Sequence, residues 1–295
     1  MASCEGKSCS TCEHRSKGTK DELLECKLSR IKHKIIVMSG KGGVGKSSVA
    51  VYIALALAKK GHRVGLMDID LHGPSIPKML GLHGLLRISK DQEILPHEYS
   101  PNLKVVSIES MLEDTDSAVI WRGPLKHGVI QQFISDCTWD DLDFLVVDCP
   151  PGTGDEPLSI ARILPDAKAV IVTTPQEVAL ADVRKSINFC KKVKLDIAGL
   201  VENMAGLYCP HCNEFIPIFR TGGGEKTAER MQIDFLGSLP FDPAVVVGGD
   251  QGRPILEDAE SDSPFRKAVE ALADAVVARF ERNGATGAEE SRAVH

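Results

Sequence analysis

The sequence predicts an α/β fold: one doubly wound, mostly parallel sheet in a single domain. Three observations point to it. Short apolar β-branched runs alternate with helical-period segments along most of the 295 residues. The core residues are Val, Ile, Leu and Ala, with aromatics at only 5%, as suits strands buried on both faces. The first strand also runs into a glycine loop and then a helix, the order a phosphate-binding loop needs.

Taken in order, Ile35, Ile36 and Val37 read as a strand. Gly40 to Gly45 break it, and Val49, Ile53, Ala56 and Leu57 then recur at helical spacing. "HRVGLMDID" gives a strand ending at Asp68, followed by a Gly73-Pro74 break and a short helix from Ser75. "NLKVVSIES" is a strand. "GPLKHGVIQQFIS" is a helix with Val129, Ile130 and Phe133 on one face. "FLVVDCPPGTGDE" repeats the strand-to-loop design. Strands at "AVIVTT", "IAGLVEN" and "FLGSLP" follow with helices between them, including "VALADVRKSINFCKKV". A closing helix near residues 263–282 aligns Phe265, Val269, Leu272, Val276 and Phe280. The division expected is a flexible Cys-rich arm over 1–32, one folded domain over 33–283 and a disordered tail over 284–295. In such a sheet the ligand site lies beyond the carboxyl ends of the strands, where Ser39, Asp68, Asp148, Thr173 and Asn203 fall.

The loop reads Gly40-Lys41-Gly42-Gly43-Val44-Gly45-Lys46-Ser47, with Ser48 opening the helix. Its glycines let backbone N–H groups converge on a phosphate at a helix N-terminus. Lys46 offers a point charge to the outer phosphates, and the Ser47 hydroxyl is placed to ligate magnesium. Lys41 cannot share the position of Lys46, because one loop wraps one phosphate chain. It is either solvated or reaches a phosphate held by a second copy of the loop across a two-fold axis. Asp148 is the candidate second magnesium ligand opposite Ser47, or else a strand-end carboxylate capping the next turn. Gly152 and Gly154 would let the loop after it respond to a γ-phosphate.

The net charge of −6 gives no electrostatic footprint for nucleic acid or anionic lipid. No apolar run reaches the length of a membrane span, and the first residues are polar. The expected setting is cytoplasmic, with no nucleic-acid or membrane partner. Among nine cysteines in a reducing compartment, metal or cluster ligation is then the default over disulfides. "YCPHC" sets Cys209 and Cys212 at Cys-x-x-Cys spacing, with Pro210 favouring a tight turn. One pair supplies two thiolates and a [4Fe–4S] cluster takes four, so two subunits would complete a site. Zinc, or a redox or structural thiol pair, are the alternatives. Cys4, Cys9, Cys12 and Cys26 form a second candidate set in the arm, for a cluster, zinc or nothing. Cys137, Cys149 and Cys190 are isolated and read as small packed hydrophobes.

"KGGVGKS" resembles the deviant Walker A signature of the MinD/ParA-like P-loop ATPases, whose first lysine crosses a dimer interface. That resemblance implies a MinD-like P-loop NTPase fold, ATP and Mg²⁺ as ligands, a homodimer, and a trans-acting phosphate contact for Lys41. It also implies a water-positioning role for Asp70 in the pair Asp68/Asp70, which otherwise reads as a helix-capping device. Asn203, with Pro240 and Asp242 of "LPFDP", matches the adenine-recognising positions, the alternatives being turn roles. "DIDLHGPSIPKMLG", "WRGP", "DFLVVDCPPGTGDEPLS", "TTPQEVALADVRK" and "VENMAGLYCPHC" narrow the resemblance to Mrp/ApbC-type iron–sulfur cluster carriers from about residue 33 to 280. The activity implied is ATP hydrolysis coupled to loading a [4Fe–4S] cluster and passing it to apo iron–sulfur proteins. The arm departs from the four-cysteine segment of eukaryotic members, since its thirteen-residue gap follows the close pair instead of preceding it. A MinD/ParA-like positioning ATPase and a nitrogenase iron-protein-like reductase are the rival functions. The first needs a basic terminal helix or face, and the second takes its ligands from two separated segments.

Overall fold

The computed structural model describes residues 20–70, 73, 75–111, 123–258 and 262–290. Helix α1 (Lys20–Ser29) leads into β1 (Ile31–Ser39), α2 (Lys46–Lys59), β2 (Val64–Asp68) and the one-turn α3 (Ile76–Met79). A two-residue hairpin, β3 (Arg87–Ile88) and β4 (Ile94–Leu95), precedes β5 (His97–Ser100), β6 (Leu103–Ser107), α4 (Gly123–Ser135) and β7 (Leu142–Asp148). Then come α5 (Asp155–Ile163), β8 (Lys168–Thr173), α6 (Glu177–Val193), β9 (Asp196–Tyr208) and β10 (Phe215–Ile216). The chain closes with α7 (Gly223–Met231), β11 (Phe235–Phe241), α8 (Pro243–Asp250) and α9 (Pro264–Glu290).

The main sheet runs β10-β9-β8-β1-β7-β2-β6-β5, with β11 also paired to β9. Among the described residues of this sheet only β10 and β5 pair antiparallel, and the other pairings in it are parallel. Strand alternation sorts the side chains onto two cores. On β1, Ile35 and Val37 face one layer and Ile36 and Met38 the other; on β7, Phe144 and Val146 part from Leu145 and Val147 in the same way. The first layer holds α2, buried from Val49 through Ala58, and the expected α9 stripe of Phe265, Val269, Leu272, Val276 and Phe280. The second holds Val129, Ile130 and Phe133 of α4, and Trp139, whose indole N–H donates to the Phe133 carbonyl at 2.7 Å.

The structure differs from the sequence reading at the two ends. The arm expected to be flexible through residue 32 contains α1, because Leu24 and Leu28, one helical turn apart, pack onto the second core. Helix α9 continues through Glu290, past the end of its apolar stripe at Phe280. No helix among the described residues is long and apolar enough to cross a membrane.

Phe133 is fully buried, whereas Ile88 is 60% exposed. Phe133→Ala is expected to lose about 3–5 kcal/mol of unfolding free energy in urea titrations, and Ile88→Ala less than about 0.5 kcal/mol. Equal losses at the two positions would contradict the layer assignment.

Candidate functional site

The parallel order sets β1 between β7 and β8 and sends all their carboxyl ends to one edge. Ser39, Asp68, Asp148 and Thr173 each end their strand there. Asn203 lies within β9, which continues five residues further to Tyr208. The glycine loop crosses this edge between Ser39 and α2. Ser39 Oγ donates to the Lys41 carbonyl at 2.9 Å. Gly45 turns the chain into α2 at φ 78°, and a Cβ there would lie 2.2 Å from Asn203 Nδ2. That amide donates to the Val44 carbonyl at 2.9 Å, so Asn203 braces the loop from the neighbouring strand.

Lys46 is only 6% exposed. Its ammonium donates to Asp148 Oδ1 at 2.6 Å and to Ser47 Oγ at 3.2 Å, and lies 3.5 Å from Asp70 Oδ2. Burial works against its charge, but Asp148 and Asp70 outweigh that and hold its pKa above the ordinary lysine value. Asp68 stands directly opposite Asp148 in the β2–β7 register. It accepts from the Asp70 N–H at 3.1 Å and from Ser107 Oγ at 3.1 Å. Full burial, then the nearby Asp148 charge, push Asp68 up to about 8. One cation cannot neutralise three gathered carboxylates, and burial raises Asp148 as well, against the opposing pull of Lys46.

A cleft of about 260 Å³ opens over the loop, lined by Lys41, Gly42, Gly43, Lys46, Ser47, Ser48, Asp70 and Pro151 among others. Gly42 and Gly43 leave space where side chains would otherwise stand. Asp148 Oδ2, buried beside this cleft, has no hydrogen-bond partner among the described residues. A phosphate chain fits the cleft by charge and shape, and a hard cation fits the donor set of Ser47 Oγ and Asp148 Oδ2. Lys41 is half-buried on the rim and its ammonium has no partner among the described residues.

Beside the phosphate cleft lies a smaller cavity of about 70 Å³. It is walled by Gly45, Ser48, Asn203, Pro240 and Asp242 together with Met204, Phe241, Val245, Val246 and Phe265. Thus Asn203, Pro240 and Asp242 do converge. Asp242 also takes the turn role, accepting from Ala244 N at 2.9 Å as the N-cap of α8. The apolar wall went unread in the sequence. Val245 and Val246 follow "LPFDP" after Ala244 alone, a signal that could have found them, whereas Phe265 was legible only as core stripe.

Cys209 and Cys212 sit in the turn joining β9 to β10, closed by Cys209 N to Glu214 O at 2.9 Å and Asn213 N to Cys209 O at 2.8 Å. The N–H groups of Cys212 and His211 donate to the Cys209 sulfur, and the Cys212 thiol adds to them, drawing the Cys209 pKa below the ordinary thiol value. Cys212 is exposed. No third His, Cys, Asp or Glu gathers with them into a metal-holding group among the described residues. Cys137, Cys149 and Cys190 are buried as expected, and burial pushes Cys137 and Cys190 up to about 12. Of the arm set, Cys26 lies half-buried on α1. Cys4, Cys9 and Cys12 fall outside the described residues.

The raised acid Asp68 binds its proton more tightly folded than unfolded. Its contribution to stability therefore falls as pH rises from its unfolded value near 4 through about 8. Asp68→Asn keeps the bond from the Asp70 N–H and reverses the other, its amide donating to Ser107 Oγ, and is expected to flatten this slope in metal-free, nucleotide-free protein. It should be more stable than the parent at pH 9, read from urea midpoints between pH 5 and 9. An unchanged slope would remove the assignment.

Known proteins resemble this chain over most of its length. The chain is 43% identical over 291 residues to the "Iron-sulfur cluster carrier protein" of Methanocaldococcus jannaschii, covering 95% of this chain and 100% of that one. It is 46% identical over 264 residues to the "Cytosolic Fe-S cluster assembly factor NUBP2 homolog" of Monosiga brevicollis, covering 88% and 92%. Among solved structures, a nucleotide-binding protein from Archaeoglobus fulgidus in complex with ADP superposes with a TM-score of 0.71 at 38% identity, covering 83% of this chain and 96% of that one. The cell division ATPase MinD of Pyrococcus furiosus superposes at 0.61 with 26% identity, covering 84% and 99%. The family model described as ParA, NUBPL iron-transfer P-loop NTPase, matches residues 30–277, and the chain belongs to that family.

Proposed function

We propose that this protein is an ATP-dependent iron–sulfur cluster carrier that holds a [4Fe–4S] cluster as cargo between two copies of the chain and passes it to apoproteins. The observation that carries the reading is the exposed Cys209–Cys212 turn on the strand that also braces the phosphate loop through Asn203. Two thiolates per subunit make half of a four-thiolate site, so the cargo is bound at a two-fold axis. An exposed turn, open to a recipient, suits a cluster that must leave. The names of the archaeal and eukaryotic relatives support the same reading.

In this reading ATP lies with its phosphates on Gly40 to Ser48 and its base in the cavity of Asn203, Pro240 and Asp242. Lys46 neutralises the phosphates. Ser47 and Asp148 would hold Mg²⁺, which would shield the phosphate charge. Asp70, 3.5 Å from the Lys46 ammonium, orients the attacking water. Lys41, on the rim of the cleft, serves the nucleotide of the partner subunit. Hydrolysis thereby senses pairing of the two subunits, which is also what completes the cargo site. The arm cysteines Cys4, Cys9, Cys12 and Cys26 form a separate candidate ligand set.

Anaerobic reconstitution of protein truncated before residue 20 is expected to yield about four irons per two subunits, and Cys212→Ala none. Zinc in the site with no iron taken up would refute the carrier reading. Lys46→Ala should lose nucleotide binding, measured by calorimetry. Lys41→Ala should keep binding and lose hydrolysis or ATP-dependent pairing; normal turnover and pairing in that variant would remove the trans role. Asp70→Asn should bind Mg-ATP and lose turnover, since orienting water is a transition-state role.

A further inference from the structure

The cavity that suits a nucleobase and the cleft beneath the cysteine turn share a wall. The cleft, about 450 Å³, is lined by residues 207–213 and by Pro240, Phe241, Asp242 and Phe265, and those last four also line the base cavity. The backbone links the two sites as well. Asn203 pairs with Leu239 of β11 and Leu207 with Phe241, so β9 spends Met204, Ala205 and Gly206 where β11 spends Pro240 alone. This is a bulge, the device that re-aims a strand beside a functional site.

Both ends of the bulge touch a site. Met204 takes φ 57°, a left-handed conformation uncommon for a residue of its kind. It lines the base cavity, its methyl 3.6 Å from where a Gly45 Cβ would stand. Gly206, at φ 104°, lies under the Phe215 ring, where a Cβ would come within 2.3 Å of Cζ. Phe215 pairs with Tyr208 across the hairpin, their rings 5.2 Å apart, and these two residues bracket the cysteine turn.

We propose that the Met204–Gly206 bulge relays nucleotide occupancy to the cysteine pair, with Met204 and Phe215 as positioning residues. A base seated against Met204 changes the bulge, Gly206 carries the change to Phe215, and the Cys209–Cys212 turn shifts with it. The connection is one contiguous set of packed groups within a single subunit. The proposal rests on the carrier reading for its purpose, but not for its measurement.

The test uses the full-length chain, reduced and metal-free. Alkylation by iodoacetamide is followed at Cys209 and Cys212 by peptide mass spectrometry, with and without saturating Mg-ADP, at two protein concentrations tenfold apart. The buried Cys137, Cys149 and Cys190 serve as unreactive controls. The expected result is a change in rate of about fivefold with ADP, equal at both concentrations. Phe215→Ala should bring the ratio near one with ADP affinity unchanged, and Phe215→Leu should restore it. The relay is overturned if ADP leaves the parent's rates unchanged, if the effect disappears on dilution and so reports partner burial, or if Phe215→Ala keeps the full ratio. Iron uptake with nucleotide-indifferent cysteines would sink the relay alone. Nucleotide-responsive cysteines in a protein that takes up no iron would sink the carrier reading alone.

Discussion

The buried ammonium of Lys46 is the constraint on which the site depends. A cation taken from water at 6% exposure needs close anionic partners, and Asp148 and Asp70 supply them. Those partners end or follow β7 and β2, while Lys46 opens the helix that follows β1. The pairing therefore holds only if β1 lies against β7 and β7 against β2, the order observed. Burial of the same acids raises both Asp68 and Asp148, and Asp148 Oδ2 is left without a partner among the described residues. Charges of both signs are thus gathered in direct contact at one edge of the sheet, beneath the glycine loop.

Strand β9 is the second organising element. Its first half runs parallel between β8 and β11 with a register shift against each, and its last residues form a hairpin with β10. The returning chain is fixed again at α7. There the buried carboxylate of Glu202 accepts from Gly222 N and Gly224 N, a compensated charge at a helix N-terminus. The cysteine turn thus projects from a segment anchored on both flanks by adjacent residues of one strand, Glu202 and Asn203. The turn is exposed, yet its anchors lie beside the phosphate loop.

The family comparison and the geometry bear on different questions. The relatives establish lineage over most of the chain, and their names bear on what is carried. The geometry bears on how: a two-thiol turn, a rim lysine without a partner among the described residues, and two cavities sharing one wall.

Much of this was legible in the linear chain. Apolar runs and their periods located most of the strands and the α9 stripe, because burial on both faces or on one face imposes those periods locally. The loop Gly40 to Ser48, the strand-end carboxylates and the Cys209–Cys212 pair are likewise written as short contiguous patterns. What the chain could not disclose depends on contacts between distant segments. The helix α1 exists because Leu24 and Leu28 find a core made by later residues. Met204, Phe241, Val246 and Phe265 meet around one cavity only because β9, β11, α8 and α9 fold together, and each alone reads as ordinary core or turn. The bulge in β9 is a mismatch of register with β11, and a register belongs to two strands at once, so neither sequence states it.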